Sequence, residues 1–129
     1  MSNLIIDTAS EEIYLKIISS GKEYSIKHNN SRENFDELVS LVFNFIKENN
    51  INLSKINNIF VNQGPGKYTS IRSAISLVKA FKISKNVNIY GYFTSQIPNN
   101  NYSILLKLLE EGRLTKEFIK PKYLNYFFL

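Results

Sequence analysis

The stretch from Ile56 to Phe81, INNIFVNQGPGKYTSIRSAISLVKAF, restricts the fold more than any other part of the chain. It begins as a short apolar run of strand length and ends as an apolar pattern at helical spacing. Only a brief loop around Gly64, Pro65 and Gly66 lies between them. A strand that feeds a helix so directly belongs to a βα crossover, which lays the helix on a sheet face. The glycines admit backbone angles that other residues resist, and Pro65 sets one angle between them. The pattern predicts a helix from Thr69 to Ile83, with the Thr69 hydroxyl capping its free amides. Ile71, Ala74, Leu77, Val78 and Phe81 form its core face, with Ile75 at the flank. Two readings of Gly64, Pro65, Gly66, Lys67, Tyr68, Thr69 and Arg72 stay open: a tight structural turn, or an anion contact at a helix N-terminus. The P-loop and dinucleotide fingerprints are both absent.

The remaining pattern supplies the rest of a sheet. Asn3–Asp7 reads as a buried strand, and Ile13–Ser19 and Glu23–His28 alternate as two more, with Gly21 at the turn between them. Asn30 or Ser31 caps a first helix carrying Phe35, Leu38, Val39, Val42 and Ile46 on one stripe. Leu41 and Phe45 widen that stripe on one side and Phe43 on the other, and Ser54 caps a short turn before the next strand. Ile56–Asn62 and Asn86–Tyr92 complete the order β-β-β-α-β-α-β, a mixed five-stranded α/β sheet with the topology of a ribonuclease-H-like lobe. Leu105, Leu108 and Leu109 mark a C-terminal helix over Tyr102–Glu111, stopped at Gly112. The expected organisation is a lobe over residues 1–97, then a helix and aromatic tail over 98–129 packing on or beside it.

The chain has 129 residues, enough for one core, and is 43% hydrophobic and 21% charged. It has no cysteine, which removes disulfides and cysteine-based metal or nucleophile sites. The opening MSNLIIDTAS shows no signal-peptide pattern, and no apolar run approaches the ~20 residues of a membrane span. A cytoplasmic location is expected. The net charge of +5 suits an anionic partner such as RNA, although Lys is abundant throughout this composition.

Few residues offer chemistry. Asp7 ends the first strand, where ribonuclease-H-like nucleases hold a metal, but two-metal chemistry needs further carboxylates and the other strands offer none at a matching end. His28 is the sole histidine and lacks partners for a metal site or a Ser–His relay. Lys79, Lys82 and Lys85 share one flank of the second helix, a solvated face or an RNA contact.

The motifs LIIDTAS, Gly64-Pro65-Gly66-Lys67-Tyr68-Thr69-Ser70-Ile71-Arg72 before the second helix, and Pro121, Tyr123 and Leu124 in the tail resemble the TsaB family. The likeness covers residues 3–97 and, more weakly, 102–126. Members carry G-P-G-S-F-T-G-[LIV]-R at the loop, so Lys67 stands for a usual serine and Ser70 for a usual glycine; Asn125 replaces a tail arginine. The histidine pair of the paralogue TsaD is absent. The resemblance implies an actin/Hsp70-like ATPase lobe without most of a second lobe. It also implies a non-catalytic partner of a TsaD-like transferase, supporting threonylcarbamoyladenosine formation at position 37, beside the tRNA anticodon.

On that resemblance Leu41, Phe45, Ile75 and Lys79 are the expected partner contacts, and this chain has no catalytic residue, no metal and no cofactor of its own. ATP and a metal belong to the partner subunits, which include a TsaE-like ATPase; tRNA is met through the complex, and self-pairing of the same helices stays open. The alternatives are a minimal metal-dependent ribonuclease-H-like enzyme built on Asp7, or a tRNA-binding module built on the lysines.

Overall fold

A computed structural model describes residues 2–122. Five strands form one sheet in the order β3-β2-β1-β4-β5, comprising β1 (Ser2–Asp7), β2 (Glu12–Ser19), β3 (Lys22–Asn29), β4 (Ile56–Asn62) and β5 (Asn88–Tyr92). The meander β1-β2-β3 is antiparallel, whereas β4 joins β1, and β5 joins β4, in parallel. Parallel neighbours require crossovers, and the helices α1 (Arg32–Asp36), α2 (Leu38–Glu48) and α3 (Tyr68–Lys85) lie within them.

Side-chain alternation sorts the sheet into two apolar faces. Leu4, Ile6, Ile59, Val61 and Ile89 meet Val42, Phe45, Ile46, Ala74, Val78 and Phe81 of α2 and α3. Ile5, Phe60 and Tyr92 point the other way and meet Ile97, Leu105, Leu108 and Leu114. The central strand β1 is buried along its whole length, as a strand covered on both faces must be. The short helix α4 (Leu105–Glu110), entered through a 3-10 turn at Tyr102–Ile104, therefore closes the sheet face opposite α2 and α3.

Several boundaries differ from expectation for local reasons. The first helix is two helices. Ser31 caps α1 by accepting from the Asn34 amide at 3.3 Å, but Glu37 leaves helical geometry, and the chain turns so that α1 lies against α3 while α2 reaches β2. Asn52, not Ser54, caps the turn before β4, accepting from the Ser54 amide at 3.0 Å. The second helix starts at Tyr68 with Lys67 as its cap residue, so Thr69 lies inside the first turn and caps nothing. Asn86 closes α3 in the left-handed region, delaying β5 to Asn88. The tail from Tyr123 to Leu129, with the expected Leu124 and Asn125 positions, lies outside the described residues.

Candidate functional site

In open α/β sheets ligands collect at the carboxyl ends of parallel strands. Here β1 ends at Asp7 and β4 at Asn62, and the two side chains meet, with Asn62 Nδ2 donating to Asp7 Oδ1 at 3.1 Å. The same oxygen accepts from the Ala9 amide at 3.1 Å, and Oδ2 accepts from the Tyr102 hydroxyl at 2.7 Å. Asn62 Oδ1 accepts from the Gly64 amide at 2.7 Å and from Thr94 Oγ1 at 3.3 Å. Asp7 is 5% exposed, and both of its oxygens are engaged by neutral donors.

Two tyrosines complete this cluster. Burial, then the Asp7 carboxylate, raises the pKa of Tyr102 far above the ordinary phenol value, so the ring stays a donor. Tyr102 also stacks on Tyr14, with ring centroids 4.8 Å apart. Burial and Asp7 likewise raise the pKa of Tyr92, whose hydroxyl has no hydrogen-bond partner among the described residues. These residues do not fit a catalytic metal. Binding one at Asp7 would displace the Tyr102 hydroxyl, and among the described residues no group of three or more His, Cys, Asp or Glu side chains converges. His28 sits half-buried on β3 beside Ile13 of β2, away from this cluster.

The Gly-Pro-Gly loop is held from within the chain. A Cβ on Gly66 would lie 2.0 Å from the Ala9 carbonyl oxygen, so only glycine permits this approach. Gly64 has φ +102 and stands against Ile71 and the Lys122 carbonyl, and the bond to Pro65 is cis. The Lys67 amide donates to Ala9 O at 3.1 Å, and its ammonium donates to Asn30 O at 3.0 Å and faces Glu11 at 3.6 Å. Ser70 and Thr8 clamp each other: each hydroxyl donates to the other's carbonyl at 2.8 Å. Buried Asn30 donates to Thr8 O, Ser10 O and Ser70 Oγ. These contacts support the structural-turn reading, because the lysine that would greet an anion is tied to a carbonyl and a carboxylate. Of the remaining loop residues, Thr69 is exposed, and the Arg72 guanidinium lies over the Tyr68 ring at 5.2 Å.

The four expected partner contacts are divided by the structure. Phe45 and Ile75 are 2% and 4% exposed and belong to the core, Leu41 is half-buried against that core, and Lys79 is exposed. Phe45 and Ile75 therefore do not lie on a surface: sheet packing has turned their side of each helix inward. Val39 (52%), Phe43 (40%) and Ile83 (87%) are exposed apolar side chains on these helices, as is Tyr68 (41%) at the start of α3. Phe43 leans on Phe81 at 5.5 Å, and Val39 lines an open groove of about 540 Å³ between the helices, opposite Ser76 and Ala80. Asn30, Asn62, Ser70 and Tyr102 are among the site residues that sequence reading missed. Only Ser70, where the family resemblance leads one to expect glycine, left a signal.

Comparison with known proteins places this geometry. The family model described as TsaD, tRNA N6-adenosine threonylcarbamoyltransferase, matches residues 25–96, more than half of the chain. The tRNA threonylcarbamoyladenosine biosynthesis protein TsaB of Buchnera aphidicola subsp. Schizaphis graminum is 26% identical over 99 residues, covering 75% of this chain and 47% of that protein. TsaB of Buchnera aphidicola subsp. Baizongia pistaciae is 21% identical over 84 residues, covering 65% and 38%. The chain thus spans less than half the length of these curated relatives. YeaZ from Pseudomonas aeruginosa superposes with a TM-score of 0.69 at 21% identity, covering 86% of this chain and 49% of that one. RuvC from Thermus thermophilus superposes with a TM-score of 0.52 at 13% identity, covering 75% and 66%. The fold is a single ribonuclease-H-like lobe.

Proposed function

The chain belongs to the family of the tRNA N6-adenosine threonylcarbamoyltransferase TsaD, and within it to the TsaB members; from that premise we propose that it is a non-catalytic component of tRNA threonylcarbamoyladenosine formation. It acts as a platform for a TsaD-like transferase. One observation carries this reading. The crossover helices keep Val39, Phe43 and Ile83 exposed, and Val39 lines the groove between them, although their other sides fill the core. Apolar side chains left in water on a helix pair are stabilised when a partner covers them. The strand-end cluster agrees, since Asp7 is spent on internal hydrogen bonds.

Helix burial supplies the affinity, with Lys79 at the rim. The same groove admits a second copy of the chain, and a TsaE-like ATPase would join through the transferase. ATP and its metal are held by those subunits, and tRNA is engaged by the assembly.

Co-purification of the chain with the TsaD-like transferase of its own organism, followed by sizing, tests the proposal. A one-to-one complex is expected, and Val39→Asp weakens capture by roughly tenfold or more. A folded chain that ignores the transferase refutes the platform. Metal-dependent nuclease activity that vanishes in Asp7→Asn would support the enzymatic reading instead.

A further inference from the structure

The segment from Thr115 to Lys122 is pinned at both ends beside the strand termini. Thr115 and Gly91 exchange amide-to-carbonyl bonds at 2.8 Å in both directions. At the other end Gln63 Nε2 donates to Lys120 O at 3.1 Å, and the Lys122 amide donates to Gln63 O at 2.8 Å. Ile119 turns inward and is 2% exposed. Phe118, its neighbour, is 86% exposed and holds φ +56, a left-handed conformation unusual for a bulky residue. The chain thus anchors this turn firmly and leaves an aromatic ring standing in water.

The turn that carries that ring has three lysines and one exposed acid, Glu117, so its charge is net positive. Lys116, Lys120 and Lys122 are all exposed, and none forms an ion pair among the described residues. The Lys122 ammonium lies over the ring of Phe93 at 5.6 Å. Phe93 and Phe118 line one cleft of about 520 Å³ with Pro121 and Thr115. Its floor is Gln63, which follows β4, and its wall is Phe93, which follows β5. The cleft therefore occupies the carboxyl ends of two parallel strands, where open α/β sheets bind their ligands.

We infer that this cleft binds an unpaired stretch of RNA, one base stacking on Phe118 and Phe93 while the flanking phosphates meet Lys116, Lys120 and Lys122. Rings flanked by mobile cations are the general means of holding single strands, because every base has a face to stack and every phosphate a charge. The choice of RNA over single-stranded DNA rests on the function proposed above; the stacking and charge chemistry does not. The surface differs from the α2–α3 groove, so the two can fail separately.

The test is fluorescence anisotropy of a labelled, unpaired RNA of about ten nucleotides with the full chain. Binding is expected to fall about twentyfold between about 50 and 200 mM salt, as three phosphate contacts on a single strand predict. Phe118→Ala weakens it about tenfold and Phe118→Tyr preserves it. Lys116→Glu combined with Lys120→Glu weakens it and flattens the salt dependence. Since the chain has no cysteine, Phe118→Cys gives a single thiol, and rapid maleimide labelling is expected. Slow labelling, equal binding by Phe118→Ala, or preference for anionic vesicles or DNA overturns the proposal. Loss of RNA binding by a chain that still captures the TsaD-like partner overturns this site alone. Failed capture with RNA binding intact overturns only the platform.

Discussion

The Tyr102 hydroxyl donates to the Asp7 carboxylate at 2.7 Å across 95 positions of sequence. This bond ties the segment covering the second sheet face to the end of the central strand, and it occupies the carboxylate around which a ribonuclease-H-like active site would be built.

Tyr102→Phe should therefore destabilise the chain by about 1.5–3 kcal/mol in urea denaturation, the range for a hydrogen bond to a charged group. Tyr92→Phe should be neutral or stabilising, because the buried hydroxyl it removes has no partner among the described residues. The alkaline limb of stability carries a sign. Burial and Asp7 raise the pKa of both tyrosines in the folded state, so the folded chain keeps protons that the unfolded chain releases above about pH 10. Their contribution is complete below that pH and is lost as pH rises beyond it. Melting temperature measured from about pH 8 to 11 should fall less steeply in Tyr102→Phe. Equal slopes would remove Tyr102 from the account.

Gly66→Ala should cost at least about 2–3 kcal/mol, because its Cβ meets the Ala9 carbonyl, a backbone atom that cannot swing aside. Gly21→Ala is the matched control. Its φ is +77 but nothing lies within 4 Å, so only the backbone strain remains, about 1 kcal/mol. Comparable losses at both positions would show that the approach of the loop to Ala9 is unimportant.

Phe45 and Val39 should separate folding from docking. Phe45→Ala removes a ring that is 2% exposed and should lower stability by about 3–5 kcal/mol. Val39→Asp lies on the solvent side of the first turn of α2, where an acid suits the helix dipole, and should change stability by less than about 0.5 kcal/mol. Thermal denaturation of both variants beside the capture assay gives the comparison. Severe unfolding of Val39→Asp would place that side chain in the core.

Local pattern accounts for the elements. Alternation along β2 and β3, the unbroken apolar run of β1 and the 3.6-residue period of α3 are written in adjacent residues, so the succession of strands and helical segments was legible from sequence, but the break at Glu37 that splits the first helix in two was not. The Gly-Pro-Gly turn was legible too, since glycine and proline act on their own backbone. Pattern failed wherever the answer depended on what lay across the fold. The stripe from Phe35 to Ile46 is wide enough for several orientations. Only docking on the sheet decided that Phe45 goes in and Val39 stays out, because a helix buries the arc that fits the sheet's twist and its neighbours. Tyr102 and Asn30 are polar residues at the entrances to helical segments, where the sequence suggests only local roles, and their partners Asp7, Thr8 and Ser70 are distant in sequence. A hydrogen bond is short-ranged and directional, so the tertiary structure alone decides which distant polar groups it joins.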